Sequence, residues 1–121
     1  MALIQDKAFA EVFSETGLSE VPLMTEVAGR GPERRRIDRL VLTDHDVLVV
    51  DYKTDRSWPD RAVQVHPGYL AQLAAYRAAL RKIYPNVPLR LALLWTEAPN
   101  LMVIADAILD RAADQLSMSR P

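Results

Sequence analysis

No cysteine occurs in the 121 residues. That excludes a disulfide scaffold and a thiolate zinc site, and it is compatible with a reducing compartment. No apolar run approaches the roughly 18 residues of a membrane span, so no membrane partner is expected. The N-terminus carries Asp6, Lys7 and Glu11 inside its apolar pattern and does not read as a signal peptide. Internal repeats and low-complexity tracts are also missing. Net charge is nearly absent: 15 Lys and Arg against 16 Asp and Glu leave −1, so overall charge does not advertise a polyanionic partner. The composition is that of an ordinary globular protein, 50% hydrophobic and 26% charged. Its length suits one domain with a real core and is too short for two.

Against this background the chain is organised around Arg36 to Thr54, reading R-I-D-R-L-V-L-T-D-H-D-V-L-V-V-D-Y-K-T. Ile37–Leu42 and Val47–Tyr52 are rich in Val, Leu and Ile, and the polar run Thr43-Asp44-His45-Asp46 separates them, a hairpin pattern. The turn is not of the Asn-Gly type, which leaves its geometry open. For a hairpin symmetric about the Asp44–His45 bond, Asp38 sits opposite Asp51, and Lys53, two residues on, shares their face. The rest of that face is Leu40, Leu42, Val47 and Val49, which calls for burial. Directly opposed side chains have Cβ atoms roughly 4.5–5.5 Å apart, where like charges repel. Two carboxylates at the end of an apolar face therefore need a counter-charge. Lys53 offers one, and a divalent cation offers a stronger one; oxygen ligands suit Mg²⁺ or Mn²⁺. Single Asp residues at strand ends are common and Asp-x-Lys alone is a weak signal, so the residues leave both readings open. A one-residue bulge in the turn would carry Asp38 to the other face.

Local charge is less balanced than the total. Arg30, Arg34, Arg35, Arg36 and Arg39 cluster as the chain enters the hairpin. The cluster is either a solvated loop or a set of phosphate contacts beside the site.

The remaining segments read as follows. Residues 2–15 carry Ile4, Ala8 and Val12, with Leu3, Phe9 and Phe13 beside them, at helical spacing, and Gly17 fits as the stop. Glu20 to Val27 reads as a strand that Pro22 assigns to an edge or a strand start. Ala28 to Glu33, with two Gly and one Pro, reads as a turn. Together with the hairpin this makes a three-stranded meander. Asp55 to His66 is a polar loop in which Trp58 either stacks on a base or, more commonly, pins the loop to the core. Pro67 opens a helix that runs to about Ile83 and ends before Pro85, with Leu70, Leu73, Tyr76 or Arg77, Leu80 and Ile83 as its period. Leu89 to Thr96 has strand length, so strand, helix and strand suggest a right-handed crossover and a parallel pair with Val47–Tyr52. Leu101 to Ile104 fits a short edge strand. Residues 105–117 fit a last helix, with Ala105, Ile108, Leu109, Ala112 and Leu116 in register, and Ser117 to Pro121 a frayed end. The chain thus divides into a helix (1–17), a core (18–104) and a C-terminal helix with tail (105–121).

Asp38, then Asp51-Tyr52-Lys53 on the next strand, then Gln72-x-x-x-Tyr76 on the next helix resembles the PD-(D/E)XK nuclease superfamily. More narrowly the pattern is similar to the RecB-like nucleases, whose motifs include G-x-x-D-R, D-Y-K-T and Q-x-x-x-Y. Here the first reads Arg35-Arg36-Ile37-Asp38-Arg39 and the second Asp51-Tyr52-Lys53-Thr54. Tyr69 to Arg77 and Leu93 to Glu97 resemble the nuclease domains of AddA-type helicase-nucleases. The likeness covers about residues 18–110, and three weak motifs in order at fitting separations make a strong signal. Such nucleases carry a His or Glu on a helix before the first strand. No His precedes His45 here, and Glu11 and Glu15 lie in no recognisable motif, so the chain is expected to be a fragment lacking that motif helix.

The resemblance implies an α/β (α+β), restriction-endonuclease-like mixed sheet: an antiparallel meander plus a parallel crossover strand, flanked by helices. It implies Mg²⁺, with Mn²⁺ as substitute, held by Asp38, Asp51 and the Tyr52 backbone carbonyl. Lys53 would orient a water or neutralise charge on the phosphate, and Gln72 and Tyr76 would brace the site or touch DNA; ordinary helix-to-sheet packing is their other reading. Arg35, Arg36 and Arg39 would contact DNA. The implied partners are DNA and a second subunit of a helicase-nuclease complex for double-strand break repair in the bacterial cytoplasm. A non-catalytic DNA-binding or subunit-docking module that keeps the fold is the alternative, favoured for this piece by the missing upstream ligand.

Overall fold

The computed structural model describes residues 17–27, 31–97 and 100–118. The helix expected over 2–15, Arg30 and the last three residues lie outside the described residues. One five-stranded sheet organises the rest, in the order β1-β2-β3-β4-β5. Strands β1 (Gly17–Val27), β2 (Gly31–Leu42) and β3 (Val47–Lys53) form the antiparallel meander. Helix α1 (Pro67–Ile83) then leads to β4 (Leu89–Trp95), which pairs parallel to β3. Strand β5 (Asn100–Ile104) closes the far edge antiparallel to β4, and α2 (Asp106–Met118) follows. No described helix is long and apolar enough to cross a membrane.

The hairpin has the register that its apolar alternation demands, with Leu40 opposite Val49 and Leu42 opposite Val47. A slip of one residue would turn Leu40, Val47 and Val49 away from the helices. The turn is held by its own side chains. Thr43 Oγ accepts from the backbone N–H of Asp46 at 2.9 Å and donates to Asp46 Oδ1 at 2.7 Å. The Asp46 carboxylate in turn grips the Arg90 guanidinium on β4, through Nε to Oδ2 and through Nη2 to Oδ1 at 3.2 Å. These bonds stand in for the missing Asn-Gly pair and leave no bulge in the turn.

Where the structure departs from expectation, β1 and β2 are longer. Glu20 to Val27 is part of a strand that begins at Gly17, and Gly31–Glu33, expected in a turn, is already strand. Gly31 has φ +77°, a conformation that glycine adopts without penalty, and this brings the chain straight into the ladder opposite Val27. Pro22 lies on an edge strand, as its missing donor requires.

Helix α1 starts at Pro67 with His66 as N-cap, its Nδ1 accepting from the Gly68 N–H at 2.9 Å. It buries Leu70, Leu73, Ala74, Tyr76, Arg77 and Leu80. Both members of the Tyr76/Arg77 pair are inside. Arg77 manages this by pairing with Asp110 at 2.7 Å and Asp106 at 3.5 Å, which ties α1 to α2. Ile83, counted in the stripe, is exposed at the helix end. Helical and sheet residues form one core around Leu73, Val49, Leu91, Leu93, Trp95 and Leu109. The other sheet face carries a second buried cluster, Val41, Leu48, Val50, Ala92, Leu94 and Leu101.

Strict alternation fails at one level of β2. Ile37 and Leu40 both face the helix-side core although they are three apart, while Val41 joins the other face. The ladder with β1 pairs Ser19 with Arg39 and Val21 with Ile37, and between them Glu20 has φ +53°. That left-handed value costs a non-glycine residue about 1–2 kcal/mol. Both strands therefore change faces at the level of Asp38.

The Asp46 tie generates a test. Burial alone would raise the Asp46 pKa, but the hydrogen bonds from Arg90 and Thr43 and the Arg90 charge outweigh it and hold the carboxyl below its ordinary 3.8. A depressed folded-state pKa adds stability above the unfolded value, and that stability is lost as pH falls through the folded one. Asp46→Asn should cost about 1–2 kcal/mol at pH 7. Urea titrations at a series of pH values should show the gap to wild type closing only below pH 3.8.

Candidate active site

The site forms where β3 runs out from under the core. Val49, Asp51 and Lys53 alternate onto the helix side, so the apolar face ends in a carboxylate and an ammonium. Asp51 is 4% exposed. Asp38 approaches from β2. The β2–β3 ladder stops at Arg39–Val50, and beyond it the Asp38 Oδ2 accepts the Tyr52 backbone N–H at 2.7 Å. A side chain thus takes the place of the next ladder partner, which brings the second carboxylate beside Asp51.

Lys53 Nζ lies 2.7 Å from Asp51 Oδ2. The contact is an ion pair set off the hydrogen-bond direction, so this buried oxygen has a charge beside it and no aligned donor among the described residues. Burial pushes the Asp51 pKa up, the Lys53 ammonium pulls it back, and the Asp38 charge adds to the rise. The net direction is upward.

Helix α1 supplies the next layer, because Tyr69, Gln72 and Tyr76 lie three and four residues apart on one face. Lys53 Nζ donates to Gln72 Oε1 at 3.2 Å, Gln72 Nε2 donates to the Tyr76 hydroxyl at 3.0 Å, and that hydroxyl donates to the Arg36 carbonyl at 3.1 Å. The chain runs from β3 through the helix to β2. Tyr76 is 1% exposed, which leaves it no surface for a nucleic acid, so its contacts are those of a brace. Burial, with the Asp51 charge second, raises its pKa and keeps the phenol protonated as a donor. The Tyr69 ring lies under Lys53, with Nζ 3.9 Å from its centroid. Its hydroxyl meets both Asp55 oxygens at 3.0 and 3.1 Å. Tyr69 and Asp55 were not singled out by sequence reasoning. Tyr69 lies one helical turn before Gln72, and that spacing was the available signal.

The arginines are brought together less tightly. Arg35 pairs with Glu33 at 2.8 Å on the helix side of the β1–β2 ribbon. Arg36 reaches Glu20 at 3.7 Å with both side chains exposed. Arg39 donates to Ser19 Oγ at 2.8 Å and lies across Gly17, where a Cβ would collide with its guanidinium. The Arg36 side chain is the more exposed, at 67% against 38% for Arg35. Trp58 stacks on the buried Trp95, with centroids 6.0 Å apart and planes 12° apart, and so pins the loop to the core.

The donors suit a hard divalent cation. Two carboxylates converge, one with a buried oxygen lacking an aligned donor, and their two negative charges face one ammonium. Among the described residues no third His, Cys, Asp or Glu joins them, so water and the Tyr52 carbonyl would complete a shell, as Mg²⁺ tolerates.

A model of the PD-(D/E)XK nuclease superfamily matches residues 7–117. The chain belongs to the PD-(D/E)XK nuclease superfamily. Its mixed sheet is accordingly the restriction-endonuclease-like α+β fold. Among solved structures, a Eubacterium rectale protein named by assignment as an exonuclease aligns over 94% of this chain and 46% of its own, with a TM-score of 0.66 and 22% identity; that likeness shows the fold alone. An ATP-dependent helicase/nuclease subunit from Oenococcus oeni is 41% identical over 51 residues, which is 42% of this chain and 4% of that relative. The chain therefore spans under half of the first protein's length and a small part of the second's.

Two outcomes test this geometry. Tyr76→Phe leaves the Arg36 carbonyl and the Gln72 amide without their shared partner, and should cost about 1–2 kcal/mol in chemical denaturation. The raised pKa of Asp51 works in the opposite sense to that of Asp46. It adds stability below the unfolded value, near 3.8, that is lost as pH rises through the folded one. In metal-free buffer, Asp51→Asn should therefore gain on wild type as pH climbs through that window, as read by melting temperature.

Proposed function

We propose that this chain is a metal-dependent DNA exonuclease domain that hydrolyses phosphodiester bonds as part of an ATP-dependent helicase-nuclease for double-strand break repair and recombination. The observation that carries the reading is the meeting of Asp38, Asp51 and Lys53 at the end of one buried face. The name of the Oenococcus oeni relative supports the helicase-nuclease setting. On this reading the 121 residues form one domain with its core over 18–104, a piece of a longer protein that acts on DNA with a second subunit, in the cytoplasm at the nucleoid.

Asp38, Asp51 and the Tyr52 carbonyl would hold Mg²⁺, or Mn²⁺ in its place, and the ion would supply polarisation of the scissile phosphate and a more acidic water. Lys53, already at the carboxylates, would orient the attacking water or balance charge growing on the phosphate. Gln72 fixes the ammonium and Tyr76 fixes Gln72. Asp38, bound to the Tyr52 N–H, keeps its carboxylate at the strand end. Arg36, with Arg35 and Arg39 behind it, meets the DNA backbone.

Digestion of linear duplex and single-stranded DNA with Mg²⁺, Mn²⁺ or EDTA tests the proposal. Cleavage should require metal, and Asp51→Ala should abolish both cleavage and calorimetric Mn²⁺ binding. Lys53→Ala should lose on the order of a hundredfold or more in rate with DNA affinity little changed. The same substitution strips Asp51 of its counter-charge, so the metal-free protein should melt earlier and Mn²⁺ should restore much of the loss. DNA binding without cleavage at any metal concentration would replace this reading with the binding module.

A further inference from the structure

We propose that Tyr69 and Asp55 are positioning residues for Lys53: the ring face of Tyr69 seats the ammonium against Asp51, and Asp55 locks the ring by accepting its hydroxyl. The inference rests on the reading of Lys53 as the group that acts on the phosphate.

A lysine is a point charge on a flexible stem and does not hold one position by itself. Here three neighbours define the place of Nζ. Asp51 Oδ2 lies at 2.7 Å, Gln72 Oε1 at 3.2 Å, and the Tyr69 centroid at 3.9 Å. The ring offers its electron-rich face to the cation. It attracts the ammonium without adding a third formal negative charge beside Asp38 and Asp51. A carboxylate in the same place would draw Lys53 away from Asp51, whereas the ring holds it there.

The ring is itself fixed on several sides. Both Asp55 oxygens lie within hydrogen-bond distance of its hydroxyl. Trp95, stacked under Trp58, meets it at 6.1 Å and 49°, and His66 meets it at 5.3 Å and 41°. Asp55 follows Lys53 by two residues, so the chain leaving β3 closes at once onto the helix carrying the ring. The hydrogen bond to Asp55 raises the phenol pKa, with burial next, so the hydroxyl stays protonated and the tether persists. Donation to a carboxylate also enriches the ring in electrons, which strengthens its hold on the ammonium.

The test uses proton–carbon NMR of the lysine Cε groups in the metal-free chain, with the Lys53 signal assigned by its loss in Lys53→Met. A cation over a ring face carries its neighbouring CH₂ into the shielding region, so the Lys53 Hε resonances should lie upfield of the other lysines. Tyr69→Leu should abolish that shift, while Tyr69→Phe and Asp55→Ala, which keep the ring and lose the same tether, should each reduce it by a similar amount. In DNA cleavage Tyr69→Leu should lower kcat on the order of tenfold or more with KM little changed, and Tyr69→Phe should recover most of the loss. A Lys53 signal that stays in place in Tyr69→Leu would overturn the proposal, as would equal loss of kcat in the Leu and Phe variants. If Tyr69→Leu does not fold, an unchanged Lys53 shift in Asp55→Ala overturns it. The expected shifts in a chain that cleaves no DNA would refute the nuclease reading and uphold the seating of Lys53. Unshifted Lys53 resonances in an active chain would do the reverse.

Discussion

A carboxylate buried at the end of an apolar sheet face, with a second carboxylate beside it, requires a positive charge at contact distance. Lys53 meets that requirement for Asp51, and the local structure is arranged around the pair. Removing one partner from such a pair typically costs about 3–5 kcal/mol, because the other charge is left buried alone. The pair also contains one of the two buried side-chain polar atoms, with Trp95 Nε1, that lack a hydrogen-bond partner among the described residues. Asp51 Oδ2 has an ion-pair neighbour and no aligned donor, and the pKa of its carboxyl is raised. A stability-only core would fill this place with a leucine. The fold instead keeps two carboxylates and an ammonium together at the end of strand β3.

The elements around the pair carry that constraint outward. The Gln72 and Tyr76 side chains connect Lys53 to the Arg36 carbonyl on β2, so strand β3, helix α1 and strand β2 are fixed to one another through polar groups as well as through the core. Asp38 is delivered by a local break in regular structure. The positive φ at Glu20 and the change of faces between Ile37 and Leu40 free Asp38 from the ladder, so that its carboxylate accepts the Tyr52 N–H. Strain of this kind persists where the surroundings over-determine it. Here the surroundings are the long β1–β2 ladder on one side of Asp38 and the β2–β3 ladder on the other.

Much of this was readable from the chain because periodicity and punctuation are local. The Val, Leu and Ile alternation specified the register of β2 on β3, since a slip would have exposed a whole face. Pro67 and Pro85 bracketed α1, and its length between two apolar runs implied the parallel strand. Where expectation and structure part, the cause is tertiary. Gly31–Glu33 looks like a turn by composition and is strand because β1 pairs with it. Arg77 looks polar and is buried because α2 presents Asp106 and Asp110. Trp58 could not be assigned to base or core until Trp95 was found stacked against it.

The chain alone therefore pointed to the residue types that could meet: two acids on neighbouring strands, a lysine on the face of Asp51, and a glutamine and tyrosine one helical turn apart. Those follow from strand and helix periods, which need only neighbours in sequence. Tertiary structure decided how they meet. It set the kink that turns Asp38 from an opposed charge into a backbone cap, and the depth that raises the Asp51 pKa. It also gathered the ring of Tyr69 under Lys53, and divided the arginines between Glu33, Glu20 and Ser19. Desolvation, ring contacts and charge partnering depend on groups far apart in the chain, and no local pattern encodes them.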